Sequence, residues 1–280
     1  MAAYRKRRTV RRRRPIRRKI KRAKSRRPAM TRKRILNITS DKKHDNMRSV
    51  VRTATGTITA GSLTTGVGFN SLYMPSARPM AELTGESQRS TLSTYSVGYK
   101  EVTGVTCKTG GVWRWRRVVF STKDSRFFDQ VGDNLPYLDE AATTRSSMVR
   151  VINQLPNAQY IRVRDILFDG QEGVDWASIF TAKVDTTRVT LHSDKTININ
   201  PGNETGNTRI HKNWYPTRKN LVYDGDEAGA GKDTSYLSTH SKLGMGDLYV
   251  FDVVILELAP PGGGAELTFN PQGTYYWHER

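Results

Sequence analysis

Cysteine is almost absent: Cys107 is the one cysteine in 280 residues. An intrachain disulfide framework is therefore excluded, and so is a zinc finger built on cysteine. Long apolar runs are missing as well. The longest, residues 249–258, is interrupted by Asp252 and Glu257 and is too short to cross a bilayer as a helix. No apolar stretch follows the charges that begin at Arg5, so no secretory signal is expected and the chain reads as soluble and intracellular. Signatures of catalysis are lacking too. There is no G-x-S-x-G elbow and no H-E-x-x-H, and His44, His192, His211, His240 and His278 never stand four residues apart. Residues 227–234 (EAGAGKDT) resemble a phosphate-binding loop only superficially, because Asp226 occupies the first glycine position and Asp233 follows Lys232. That segment reads as a flexible loop. Asp224, Asp226 and Glu227 lack the spacing of a calcium loop and read as a carboxylate-rich turn at a subunit contact. No enzyme, metal or cofactor is expected.

Negative charge is absent from residues 1–34, which hold 14 arginines and 5 lysines. The remaining 246 residues carry 27 basic and 26 acidic side chains, so nearly all of the net charge of +20 sits in one short segment. That segment has Tyr4 as its only aromatic residue and cannot bury enough surface to offset its chain entropy, so it reads as a disordered arm. Its cations are Arg5, Lys6, Arg7, Arg8, Arg11, Arg12, Arg13, Arg14, Arg17, Arg18, Lys19, Lys21, Arg22, Lys24, Arg26, Arg27, Arg32, Lys33 and Arg34. Guanidinium groups are permanently charged and grip two phosphate oxygens at once, so the arm is expected to bind nucleic acid with steep salt dependence and little sequence preference. Its basic clusters also suit nuclear import. Extended, such an arm reaches about 110 Å at about 3.3 Å per residue.

Residues 35–280 read as all-β. Strands are expected over 48–59, over 99–107 and 112–121 as a hairpin closed by Gly110-Gly111, and over 187–191 as a half-buried strand. Residues 196–200 are expected to turn at Gly202-Asn203 into a strand over 208–215. Residues 248–258 are apolar on both faces, as in a central strand covered on both sides, and residues 266–269 and 274–278 read as a last pair. Residues 138–145 and 176–180 suit a turn or two of helix, while 76–96 and 224–241 suit surface loops. No repeat, heptad or long amphipathic helix is present. The fold expected is an antiparallel sandwich or barrel.

Residues 112–120 (VWRWRRVVF) interleave Trp113 and Trp115 with Arg114, Arg116 and Arg117. Two readings are open. Trp113, Arg114, Trp115 and Arg116 could form a stacking platform for unpaired bases. Alternatively the tryptophans pack inward, as tryptophan usually does, and the arginines meet solvent or acidic neighbours.

Residues 30–41 (MTRKRILNITSD) with Lys42-Lys43, the VWRWRRVVF segment, residues 173–196 (GVDWASIFTAKVDTTRVTLHSDKT), 212–226 (KNWYPTRKNLVYDGD), 244–252 (GMGDLYVFD) and 276–279 (YWHE) together resemble the capsid proteins of genomoviruses. The resemblance implies a single eight-stranded antiparallel jelly roll that assembles into a small icosahedral shell around circular single-stranded DNA. It also implies DNA binding by the basic arm, nuclear delivery by the host import machinery, residence in the virion and the host nucleus, and no catalytic residues. Two rivals stand beside it: a coat protein of a small single-stranded RNA virus, and a cellular nucleic-acid-binding protein with a basic tail. A body near neutrality counts against the latter, because ribosomal-type proteins usually carry cations across the globular surface too.

Overall fold

Valine, threonine and aromatic residues alternating with polar ones favour a pleated, half-buried backbone over a helix. The computed structural model describes residues 30–80, 87–108, 110–129, 134–141, 146–202, 206–229 and 231–280. Strand makes up 56% of the structure and helix 9%, so the protein is all-β. The elements run α1 (Arg32–Thr39), β1 (Asp41–Met47), β2 (Ser49–Arg52), β3 (Ile58–Ala60), β4 (Leu63–Thr65), β5 (Gly68–Tyr73), β6 (Ser93–Cys107) and β7 (Val112–Thr122). There follow α2 (Arg126–Asp129), β8 (Asp139–Ala141), β9 (Ser146–Met148), β10 (Arg150–Asn153), α3 (Asn157–Leu167), β11 (Thr190–Ile199), β12 (Asn207–Ala228), β13 (Gly231–Ser238), β14 (Asp247–Leu258) and β15 (Leu267–Glu279). Residues 39–280 form one compact unit.

Two sheets dominate that unit. One has the order β1-β15-β6-β12-β13, with β4 also on β15, and the other has the order β11-β7-β14-β5. Four long-range pairings are antiparallel: β1 with β15, β5 with β14, β6 with β12, and β7 with β11. The chain thus pairs its outermost strands first with last and its inner ones progressively closer in sequence. The small sheet β10-β2-β3 includes the one parallel pairing of named strands, β10 on β2. Aromatic contacts join the two large sheets, among them Trp115 against Phe269 at 5.3 Å, Phe69 against Phe269 at 5.1 Å and Tyr73 against Tyr99 at 6.1 Å.

β14 is central, as its apolar faces require. Val254 pairs with Trp115 on the side of the first sheet, while Phe251 meets Tyr160 and Phe168 on the other. The cover on that other side is α3, whose Tyr160, Val163 and Leu167 recur at helical spacing behind Pro156. This helix lies in a stretch where the sequence pattern suggested none.

Several expectations are corrected. The Gly110-Gly111 turn does not close a hairpin, since β6 pairs with β12 and β15 whereas β7 pairs with β11 and β14. The chain crosses between sheets there, because β7 is buried on both faces and needs the sheet that is covered on both sides. β11 and β12 likewise belong to different sheets, and part of their connection, residues 203–205, lies outside the described residues. The half-buried strand over 187–191 is not formed; β11 starts at Thr190 on a sheet edge, with Leu191 38% exposed. The expected last pair is one continuous strand, β15. Pro271 is tolerated inside it because β1 reaches only Gly273 and β4 only Phe269, so no ladder partner on that side calls for its missing N–H.

Residues 139–141 are strand rather than helix, with 142–145 outside the described residues, and 176–180 are turn rather than helix. Of the expected loop over 76–96, residues 81–86 lie outside the described residues, residues 76–80 and 87–92 form no strand beyond an isolated Met80–Arg89 bridge, and β6 takes over at Ser93. Ser76, Ala77, Arg78 and Arg89 are buried, and 224–241 is mostly the β12–β13 hairpin, with Asp226 opposite Asp233 and Glu227 opposite Lys232. Fifteen strands are described where eight were expected; six of them, β6, β7, β11, β12, β14 and β15, reach ten residues or more.

Candidate nucleic-acid interface

The cations from Arg5 to Arg27 lie outside the described residues, and Arg32, Lys33 and Arg34 fall in α1. The stacking segment is fully described, and it is corrected. Trp113 and Trp115 are 0% and 1% exposed on β7. Trp115 meets the edges of His211 and Phe269 at 5.3 Å each and donates its indole N–H to Asp252 at 2.8 Å. Arg116 is committed to Asp194 through Nε at 2.9 Å and Nη2 at 2.6 Å, and to the carbonyl of Ala182 at 2.8 Å. Arg114 is half-buried, lying over Phe180 and paired with Glu257 at 3.2 Å. A base has no indole face to reach here. Alternation on a strand covered on both sides leaves no outward platform.

What the segment builds instead is a buried ionic knot between the sheets. Asp252 Oδ1 accepts from Arg117 Nε at 2.7 Å, and Oδ2 accepts from Arg117 Nη2 at 2.9 Å and Arg150 Nη2 at 3.1 Å. Glu101, on β6 of the opposite sheet, accepts from Arg150 Nε at 2.9 Å, Tyr99 at 2.6 Å and Thr103 at 2.8 Å, and is ion-paired with Arg117. Two carboxylates thus balance two guanidiniums, which burial demands. Burial alone would raise the Glu101 carboxyl; the charges of Arg117 and Arg150 outweigh it and hold it at about 2. The same partners push Arg117 and Arg150 above the usual arginine range despite burial. The sequence gives no sign of this knot, because its members come from β6, β7, β10 and β14.

Exposed aromatic and basic side chains lie together elsewhere, on the outward face of the first sheet, and the sequence reading missed them. Register places Lys42, His278, Tyr95 and Asn220 in one row across β1, β15, β6 and β12. His44, Tyr276, Gly98 and Pro216 form the next row, Asn46, Thr274, Lys100 and Trp214 the third, and Gln272, Val102 and Lys212 the fourth. Trp214 is 45% and Tyr95 39% exposed. Trp214 meets Tyr276 edge-on at 5.7 Å, His44 stacks on Tyr276 at 6.0 Å, and Tyr95 lies 6.1 Å from His278. Gly98 makes room for the indole: a Cβ there would come within 2.8 Å of Trp214 Cζ2. Burial, then the neighbouring Lys42 charge, lowers the His278 pKa. The signal available in the sequence was the alternation Ile210, Lys212, Trp214 opposite the buried Tyr215, which requires knowing which face is open.

Among the described residues no group of three or more His, Cys, Asp or Glu could hold a metal ion, and no helix is long and apolar enough to cross a membrane. No protein-family model matches the chain, and none of the curated proteins searched matches it.

Proposed function

We propose that this is a structural, shell-forming protein that packages nucleic acid: a viral coat protein. More particularly, the sequence blocks given above favour the capsid protein of a genomovirus, enclosing circular single-stranded DNA. The observation that carries the reading is the partition of charge, with 19 cations and no acid in residues 1–34 against a body with 27 basic and 26 acidic residues. A near-neutral body lets many copies pack side by side without mutual repulsion, while the arm supplies charge where the polymer lies.

The strand pairing supports a single jelly roll. Taking β1, β5, β6, β7, β11, β12, β14 and β15 as its eight strands, the first pairs with the last, the second with the seventh, the third with the sixth and the fourth with the fifth. That is an antiparallel ribbon of strand pairs wound into two four-stranded sheets. β2, β3, β4, β8, β9, β10 and β13 are then insertions between or beside those eight. On this reading the protein is no enzyme, travels to the nucleus through its arm and ends in the virion.

The test is deletion of residues 1–34. Salt-sensitive binding of single-stranded DNA is expected to fall by orders of magnitude while the β-type circular dichroism spectrum is kept; undiminished binding would count against the arm.

A further inference from the structure

We infer that the outward face of the β1-β15-β6-β12 sheet is a second nucleic-acid-binding surface, one that stacks the unpaired bases of a single strand while the arm holds phosphates. The inference rests on the packaging function proposed above and adds a site to it. Three observations carry it.

The first is charge. Lys42, Lys100 and Lys212 project from this face, no Asp or Glu occurs in the four rows described, and none of the three lysines has an ion-pair partner among the described residues. Other cations of the body are paired closely, among them Lys43 with Glu279 at 3.0 Å and Arg116 with Asp194 at 2.6 Å. A face of uncompensated lysines attracts a polyanion.

The second is the rings. Trp214, Tyr276 and His44 form a contiguous set, Tyr95 and His278 another, and all lie between or beside the lysines. Trp214 lies over Gly98 with nearly half its surface open, the reverse of Trp113 and Trp115. A large exposed indole on a strand is costly to leave in water and suits stacking against a flat π-face.

The third is spacing. Where no bulge intervenes, as along β15, successive rows on one face stand about 7 Å apart, twice the about 3.4 Å rise of stacked nucleic acid; between the first two rows the register shifts on β6 and β12. Rings so spaced engage bases splayed from one another. A paired duplex cannot offer them, and a single strand can.

The occupant is therefore a single-stranded nucleic acid, recognised by phosphate and base face together; its sugar is not specified by this surface. The arm has Tyr4 as its only aromatic residue, and its cations engage the phosphates that strands with and without bases share. That difference separates the two sites.

Full-length protein is titrated with a labelled deoxythymidine oligonucleotide of about 30 nucleotides and with an abasic strand of the same length, at about 0.5 M salt, where phosphate contacts are weakened. The wild type is expected to bind the thymidine strand at least about tenfold more tightly. Trp214→Ala should remove most of that ratio and Trp214→Phe should keep it, with Lys212→Glu weakening both strands alike. Equal wild-type affinities, or an unchanged ratio in Trp214→Ala, would overturn the inference. So would a shift in oligomeric state of Trp214→Ala without nucleic acid, which would make the face a contact between copies. If particles still form and carry nucleic acid while the ratio is one, the coat-protein reading stands and only this inference fails.

Discussion

Trp115 shows how one side chain decides between two functional readings. Its indole N–H is spent on Asp252 and its ring packs perpendicular to Phe269, so it holds the two sheets together and is not free to hold a base. Trp113→Ala and Trp115→Ala are each expected to cost about 3–5 kcal/mol, seen as a lowered melting temperature, with DNA affinity of the folded fraction unchanged. Loss of affinity at unchanged stability would restore the stacking role. Glu101→Gln should cost about as much, since it leaves Arg117 and Arg150 buried with one carboxylate between them. Because the folded-state pKa of Glu101, about 2, lies below an unfolded value of about 4.3, its contribution is complete above that value and is lost as pH falls toward about 2. The acid limb of a denaturation series should therefore be shallower in Glu101→Gln. Asp247 works the other way. Burial pushes its carboxyl up to about 6, against hydrogen bonds from Ser238 at 2.9–3.1 Å. With an unfolded value of about 3.9, its ionisation opposes folding above about pH 6 and the opposition is relieved on acidification. Denaturation of Asp247→Asn should show equal or higher stability at pH 7, and no such relief between about pH 6 and 4.

At the scale of elements, turns carry the topology. Gly246 leads into β14 at φ +82°, and a Cβ there would lie 2.2 Å from the carbonyl oxygen of Thr122. Gly246→Ala should lower stability by at least about 1–2 kcal/mol from the left-handed backbone alone, measured by thermal melting. Strand existence was legible along the sequence: residues 248–258 announce a covered central strand because both faces are apolar, and the strand expected over 112–121 falls within β7. Partnership was not legible. The Gly110-Gly111 turn looks like a hairpin locally, and only the two-sided burial of β7 sends it into the other sheet. α3 escaped notice because Arg164 interrupts its apolar face, yet Arg164 is buried by lying 5.3 Å from the Trp176 ring and pairing with Glu172. For the candidate site, the polybasic arm was plain from composition alone. The ring-and-lysine face was hidden, because its members come from four strands spread between residues 42 and 278.

For the whole molecule, the coat-protein proposal is consistent with the arithmetic of charge. Sixty copies, the smallest complete icosahedral shell, would bring about 1,100 arm cations inside, enough to neutralise on the order of a thousand phosphates. A genome of one to a few kilobases fits this if mobile counterions cover the rest.

The most direct test is electron microscopy of the purified, nuclease-treated full-length protein, with the ratio of absorbance at 260 and 280 nm read on the same fraction. Uniform closed particles with a nucleic-acid-like ratio, whose extracted polymer is cut by DNase and not by RNase, are the predicted result. A soluble monomer or dimer that forms no particles, even with single-stranded DNA added at low salt, would contradict it.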